Sequence, residues 1–324
     1  KIFVIGTTSW GTTLAILLAE NGHDVTLLAR TAAEAQDLEI SRQNARFLPE
    51  VLFPENMRVS DSIEYATGGA DMAIIAVPSN RLRDNIRTVA PYLDKQTILL
   101  SATKGLEKGT SRRMSQVIEE ELPKGNLGNI AVLSGPNLAK EVIVRIPTST
   151  VIASKNHTVA QTIQAFFTSS AFRVYTNSDV IGVELGGALK NVIAIGAGIS
   201  DGLGYGNNSK AAFITRGLAE ITRLGRSAGA NPLTFAGLAG LGDLVTTCYS
   251  SLSRNRYVGH QLGQGHELSD IVSSMENVAE GIDTTAATLE LSSKLGVSMP
   301  ITEAIHSVVF NHMDPKQAVL QLME

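Results

Sequence analysis

The stretch Lys1-Ile2-Phe3-Val4-Ile5-Gly6-Thr7-Thr8-Ser9-Trp10-Gly11 decides the reading of the fold. Residues 2–5 are β-formers. A glycine-bounded turn follows, and then a helical pattern over Thr12–Asn21 that Gly22 stops. Gly6 permits a tight turn out of the strand, and Gly11 lets the helix lie close to the sheet. The helix N-terminus offers free N–H groups and a partial positive charge to a pyrophosphate. The spacing is therefore that of a dinucleotide-binding turn, with one departure. Thr8 stands where a middle glycine normally lets the phosphate approach the backbone.

Working outward, Val25–Ala29, Ala70–Val77, Thr97–Ser101 and Ile130–Ser134 are near-continuous apolar runs separated by helical patterns. Val151–Ala153 and Phe172–Tyr175 are further candidate strands. Such runs fit parallel strands covered on both faces, built from βαβ units. The pattern changes at Asn177-Ser178-Asp179. Asn177 or Ser178 is a candidate cap for a helix from about Val180 to about Ser200. Beyond it come helical periodicities over Ala211–Ala228, Leu268–Met275 and Gly281–Leu295, with no convincing strand. The fold class is α/β: a doubly wound, Rossmann-type sheet domain over 1–178, followed by an all-helical domain over 179–324.

Composition sets the outer limits. The 324 residues carry a net charge of −4, with 44% hydrophobic and 18% charged residues, which suits two globular domains with substantial cores. The mild charge gives no sign of a nucleic-acid partner. The lone cysteine, Cys248, excludes an intrachain disulfide and reads as a small buried thiol. No signal-type segment precedes the first strand and no apolar run approaches membrane-span length, so a cytoplasmic protein without a membrane span is expected. No His/Cys/Asp cluster has metal-ligand spacing.

Arg30 and Thr31 follow the second strand, where an acid would bond a ribose 2′-hydroxyl. Arginine suits a 2′-phosphate or stacks on adenine, so NADP is accepted beside NAD, with NADPH slightly preferred. In the second half, Lys190 is the only charge between Glu184 and Asp201. Desolvation there lowers its pKa toward neutrality unless a carboxylate offsets it, which is what a general acid/base requires. The alternative is a lysine snorkelling to solvent. Glycines at 186, 187, 196 and 198 weaken that helix and make sense if something approaches it closely. Thr103-Lys104-Gly105 and Ser134-Gly135-Pro136-Asn137 each follow a strand. Gly240-Leu241-Gly242-Asp243 puts a carboxylate in an apolar stretch, and Ser253-Arg254-Asn255-Arg256 offers donors for an anion.

With these segments in order along the chain, together with Gly206-Asn207-Asn208-Ser209-Lys210-Ala211, the sequence resembles the bacterial, soluble NAD(P)-dependent sn-glycerol-3-phosphate dehydrogenases over essentially its whole length. The resemblance implies reversible reduction of dihydroxyacetone phosphate to sn-glycerol 3-phosphate, the backbone of glycerophospholipids, by a homodimer. It assigns Lys190 as general acid/base and Lys104 as a lysine contacting substrate and cofactor. Asp243 balances or orients both lysines. It places Gly135, Asn137, Ser253, Arg254 and Asn255 at the substrate. Gly6, Ser9, Trp10, Gly11, Arg30, Thr31, Ala139 and Glu280 fall at the cofactor, with Lys104 and Arg254 close to it. The departures are Thr8, Asn137 in place of the usual serine, and Val142-Ile143-Val144-Arg145 in place of Val-Ala-x-Gly. Two alternatives stay open: a related dehydrogenase acting on a hydroxy acid or hydroxyacyl thioester, and a nucleotide sensor without catalysis.

Overall fold

The structure is a computed structural model and describes residues 1–123, 129–275 and 279–323. The opening run forms β1 (Ile2–Ile5), and the turn leads into α1 (Ser9–Glu20). Then follow β2 (Val25–Leu28), α2 (Ala32–Ser41), β3 (Met57–Ser60), α3 (Ile63–Thr67), β4 (Met72–Ile75), α4 (Ser79–Val89), β5 (Ile98–Ser101) and α5 (Met114–Glu121). β6 (Ile130–Ser134), α6 (Ala139–Ile143), β7 (Thr148–Ser154), α7 (His157–Phe167) and β8 (Phe172–Asn177) complete the sheet region.

The eight strands lie in the order β3-β2-β1-β4-β5-β6-β7-β8. β1 pairs in parallel with both β2 and β4, so chain order reverses direction on either side of β1. In such sheets the crevice at the carboxyl ends of these strands is where ligands bind, and Gly6 stands there. The apolar strands divide between two cores. Ile2 and Val4 pack into one, Phe3 and Ile5 into the other; Met72 and Ile74 oppose Ala73 and Ile75 in the same way. A strand buried on both faces has no polar side to alternate with, which explains its continuous apolar sequence.

β3 is the strand that sequence reading misses. It is an edge strand with Met57 and Val59 buried and Arg58 exposed. A four-residue, one-sided element carries too little apolar signal to stand out. β7 and β8 are longer than their apolar kernels indicate, and the structured part of the 70–77 run is confined to Met72–Ile75.

Beyond β8 the described residues are helical: α8 (Val180–Gly202), α9 (Asn207–Ser227), α10 (Pro232–Phe235), a π-helical turn at Leu238–Gly242, α11 (Asp243–Tyr249), α12 (Arg254–Gly263), α13 (Leu268–Ser273), α14 (Gly281–Leu295), α15 (Pro300–Phe310) and α16 (Pro315–Gln321). Asn177 Oδ1 accepts from Asp179 N at 2.8 Å just ahead of α8. Contrary to the expectation of no membrane-length apolar segment, α8 is long and apolar enough to cross a bilayer; 89% of its most apolar window is buried, so it is the core helix of its unit. Its glycines accommodate close neighbours: side chains at Gly187 and Gly196, and backbone at Gly186 and Gly198. Cβ atoms at Gly186 and Gly198 would overlap Ala239 O and Arg256 O.

The chain forms two compact units. Unit 1 comprises Lys1–Thr103, Met114–Leu133 and Asn137–Val180; unit 2 comprises Lys104–Arg113, Ser134–Pro136 and Ile181–Glu324. Two short segments from the first half therefore belong with the helices. Lys104–Arg113 is fastened there by the Arg113–Glu184 ion pair, by Ser111 Oγ donating to Glu290 at 2.9 Å, and by Lys294 Nζ donating to Thr110 O at 2.9 Å.

Candidate active site

In unit 1 the turn after β1 has the geometry that a pyrophosphate requires. Gly6 has φ +115°, and a Cβ there would lie 2.6 Å from Ala76 O. A Cβ on Gly11 would collide with Gly6 O. Ser9 and Trp10 open α1, where the first amides have no intrahelical acceptor. Thr8 has φ −74° and ψ 167°, ordinary extended backbone, so the missing glycine causes no strain. Its hydroxyl is the N-cap: it accepts from Gly11 N at 3.0 Å and donates to Ala76 O at 2.9 Å. The residues thus fit the dinucleotide's pyrophosphate, with one helix amide already occupied by Thr8.

Thr31 caps α2 through its side chain, and the Arg30 side chain is 78% exposed. Ala139 opens α6. At its end Arg145 takes φ 62°, the left-handed conformation for which the usual glycine is suited, and Arg145 Nη2 pairs with Glu20 at 2.9 Å. Asn137 is committed to β7: its amide donates to Ser149 O at 3.1 Å and accepts from Thr150 Oγ1 at 2.8 Å. Its side chain therefore ties the loop after β6 to β7.

Unit 2 carries the chemistry-bearing cluster. Lys190, halfway along α8, is 6% exposed, and Asp243, at the start of α11, is 1% exposed. Asp243 Oδ1 accepts from Lys190 Nζ, while Oδ2 accepts from Lys104 Nζ at 2.7 Å. Lys190 Nζ also donates to Thr247 Oγ1 at 2.7 Å, and that hydroxyl donates to Asp243 O at 2.6 Å. Lys104 Nζ reaches Gly135 O at 3.1 Å; Gly135 has φ +150°, so the carbonyl is presented by a backbone that glycine adopts freely. Burial lowers the Lys190 pKa to about 8; Asp243 holds it up against that desolvation, and the neighbouring Lys104 cation pushes it down. Two cations share one carboxylate, so the cluster carries excess positive charge.

Sequence reading did not single out Thr247. Its signal was available: it lies four residues after Asp243, on the same helix face. Ser253 caps α12, its Oγ accepting from Arg256 N at 3.2 Å, and Arg254 begins that helix. Buried Asn255 accepts from Gly281 N at 2.9 Å, tying α12 to the start of α14, where Glu280 stands at the N-cap. Cys248 is buried and its thiol is pushed up to about 12 by desolvation, so it is inert.

A doubly wound sheet with a dinucleotide turn, together with a buried lysine–carboxylate–lysine set, defines a nicotinamide-dependent oxidoreductase. Comparison with known proteins makes the class specific. The family models described as the NAD-dependent glycerol-3-phosphate dehydrogenase N-terminus and C-terminus match residues 1–160 and 179–320. A glycerol-3-phosphate dehydrogenase [NAD(P)+] of Dehalococcoides mccartyi (strain ATCC BAA-2266 / KCTC 15142 / 195) is 54% identical across all of this chain and 90% of that protein. One from Geobacter sp. (strain M21) is 49% identical across all of this chain and 96% of that protein. The crystal structure of glycerol-3-phosphate dehydrogenase from Coxiella burnetii superimposes with a TM-score of 0.94 at 38% identity, covering 100% of this chain and 98% of that one. The chain belongs to the NAD-dependent glycerol-3-phosphate dehydrogenase family, and is an oxidoreductase that uses NAD or NADP.

Proposed function

We propose that this chain catalyses the reversible NAD(P)H-dependent reduction of dihydroxyacetone phosphate to sn-glycerol 3-phosphate, with Lys190 as the general acid and the product serving glycerophospholipid synthesis. The observation that carries the reading is the buried Lys190 ammonium, with its pKa near 8, held by Asp243 and Thr247. Residues 1–178 supply the cofactor site through Gly6, Ser9, Trp10, Gly11, Arg30, Thr31 and Ala139. Residues 179–324, with Lys104 and Gly135, supply the substrate site. A cytoplasmic homodimer completes the proposal, the single cysteine fitting a reducing compartment.

Reduced NAD(P), when bound, supplies a hydride to the ketone carbon. Negative charge then develops on the ketone oxygen. Lys190 Nζ donates its proton there, and the Lys104 ammonium stabilises the charge before the proton arrives. Asp243 fixes both ammonium groups and keeps Lys190 protonated near neutral pH despite its burial. In the oxidative direction neutral Lys190 takes the hydroxyl proton. The α12 N-terminus, with Ser253, Arg254 and Asn255, offers amides and a guanidinium suited to the substrate phosphate.

The deciding experiment follows NADH and NADPH oxidation with dihydroxyacetone phosphate, with keto acids as controls. Oxidation with the phosphate ester alone is expected, and Lys190→Ala should lower kcat by roughly 10²–10⁴-fold. A folded wild-type protein that binds NADPH without turning over would instead be a sensor. Light scattering tests the dimer.

A further inference from the structure

The end of β2 carries a charge that the sequence does not place there. Arg30 follows the strand, and the acid usual at that position in NAD-binding sheets is missing. The first turn of α2 restores one. Thr31 Oγ1 accepts from Glu34 N at 3.2 Å, and the Glu34 side chain reaches back toward the strand end. Its Oε1 accepts from Thr7 Oγ1 at 2.6 Å, and its Oε2 accepts from Arg30 N at 3.0 Å. Thr7 is itself held, because the buried Asn44 amide donates to Thr7 O at 3.0 Å and to Thr12 Oγ1 at 2.9 Å. A carboxylate thus bridges the residue after Gly6 and the residue after β2. In dinucleotide folds this is the ground on which the adenosine ribose rests.

From this geometry we infer that Glu34 is a specificity-determining residue that favours a cofactor with a free ribose 2′-hydroxyl over one with a 2′-phosphate. The inference rests on the cofactor site proposed above. Each carboxylate oxygen uses one lone pair on a protein donor and keeps another for a hydroxyl. A 2′-phosphate at the same place meets like charge. Arg30 is the counterweight, but Arg30 Nε lies 3.7 Å from Glu34 Oε2, so its charge is partly spent on the carboxylate. The preference for NADPH implied by Arg30 alone is therefore opposed by a residue four positions further on.

The test is calorimetric titration of NADH and NADPH, without substrate, against wild type, Glu34→Gln and Glu34→Ala at fixed ionic strength. Both substitutions lie at a partly exposed helix start. Each should raise the affinity for NADPH relative to NADH by about tenfold, the scale of one like-charge contact near a surface. Equal changes for both cofactors, or none, overturn the inference and leave Glu34 a structural tie. If neither cofactor binds the wild type, the proposed cofactor site falls and this inference with it.

Discussion

Asp243 holds two lysines at once, Lys190 through Oδ1 and Lys104 through Oδ2 at 2.7 Å. One carboxylate, buried to 1% exposure, is shared between the group proposed to move a proton and the group proposed to stabilise charge. The Asp243–Lys104 contact spans 139 positions of sequence. This sharing sets how the site responds to pH and to substitution.

With Lys190 as the proposed general acid, its pKa of about 8 sets the expected pH profile. Reduction needs the protonated amine, so kcat for reduction should be highest below pH 8 and fall as pH rises through it. Oxidation needs the neutral amine and should rise over the same interval. Rate profiles in both directions, measured with saturating cofactor, check this. Two limbs of the same sign would remove Lys190 from the proton-transfer role.

Asp243→Asn removes the charge that raises the Lys190 pKa while Lys104 still lowers it. The reductive limb should therefore move to lower pH, with kcat at pH 7 down about 10²-fold or more. Breaking a buried ion pair on one side also costs roughly 3–5 kcal/mol, which a denaturant titration would record. A loss of stability with an unmoved limb would make Asp243 a structural residue only.

Thr8→Gly frees Gly11 N from the Thr8 hydroxyl and clears the Cβ from the turn. Cofactor binding should tighten several-fold, while the loss of the cap to glycine costs only a few tenths of a kcal/mol. Fluorescence titration of NADPH gives the answer, and an unchanged or weaker dissociation constant refutes the idea.

Glu220 offers a contrast remote in role from catalysis. Its buried carboxylate accepts from Ile301 N at 2.9 Å, Thr302 N at 2.9 Å and Thr302 Oγ1 at 2.7 Å, capping α15 from α9. Glu220→Ala leaves two helix amides without an acceptor and should lower stability by roughly 2–4 kcal/mol. The melting temperature should drop while KM of the remaining folded enzyme stays put.

Much of the sheet was legible because its signals are local. Gly6 and Gly11 mark a turn through backbone geometry, and β1 and β4 are apolar throughout because both faces are covered. Edge strand β3 was not legible, since only Met57 and Val59 face inward. In the candidate site, Lys190 stood out as a lone charge in an apolar helix, whereas Thr247 is marked only by its spacing of four from Asp243, a signal that counts only once Asp243 is known to hold Lys190.

The sequence by itself determined the alternation of strands and helices, the dinucleotide turn, the change to helices after Asn177 and the residues eligible for chemistry. These depend on interactions within a few positions: periodicity, capping and glycine conformations. Only the tertiary structure decided which eligible groups meet. It joined Lys104, Lys190 and Asp243 around one carboxylate, tied Asn137 to β7 and brought Glu34 to Thr7 at the cofactor turn. Those pairings, and the Lys190 pKa of about 8 that burial lowers and the Asp243 pairing holds up, arise from burial and charge between segments distant along the chain, which local pattern does not encode.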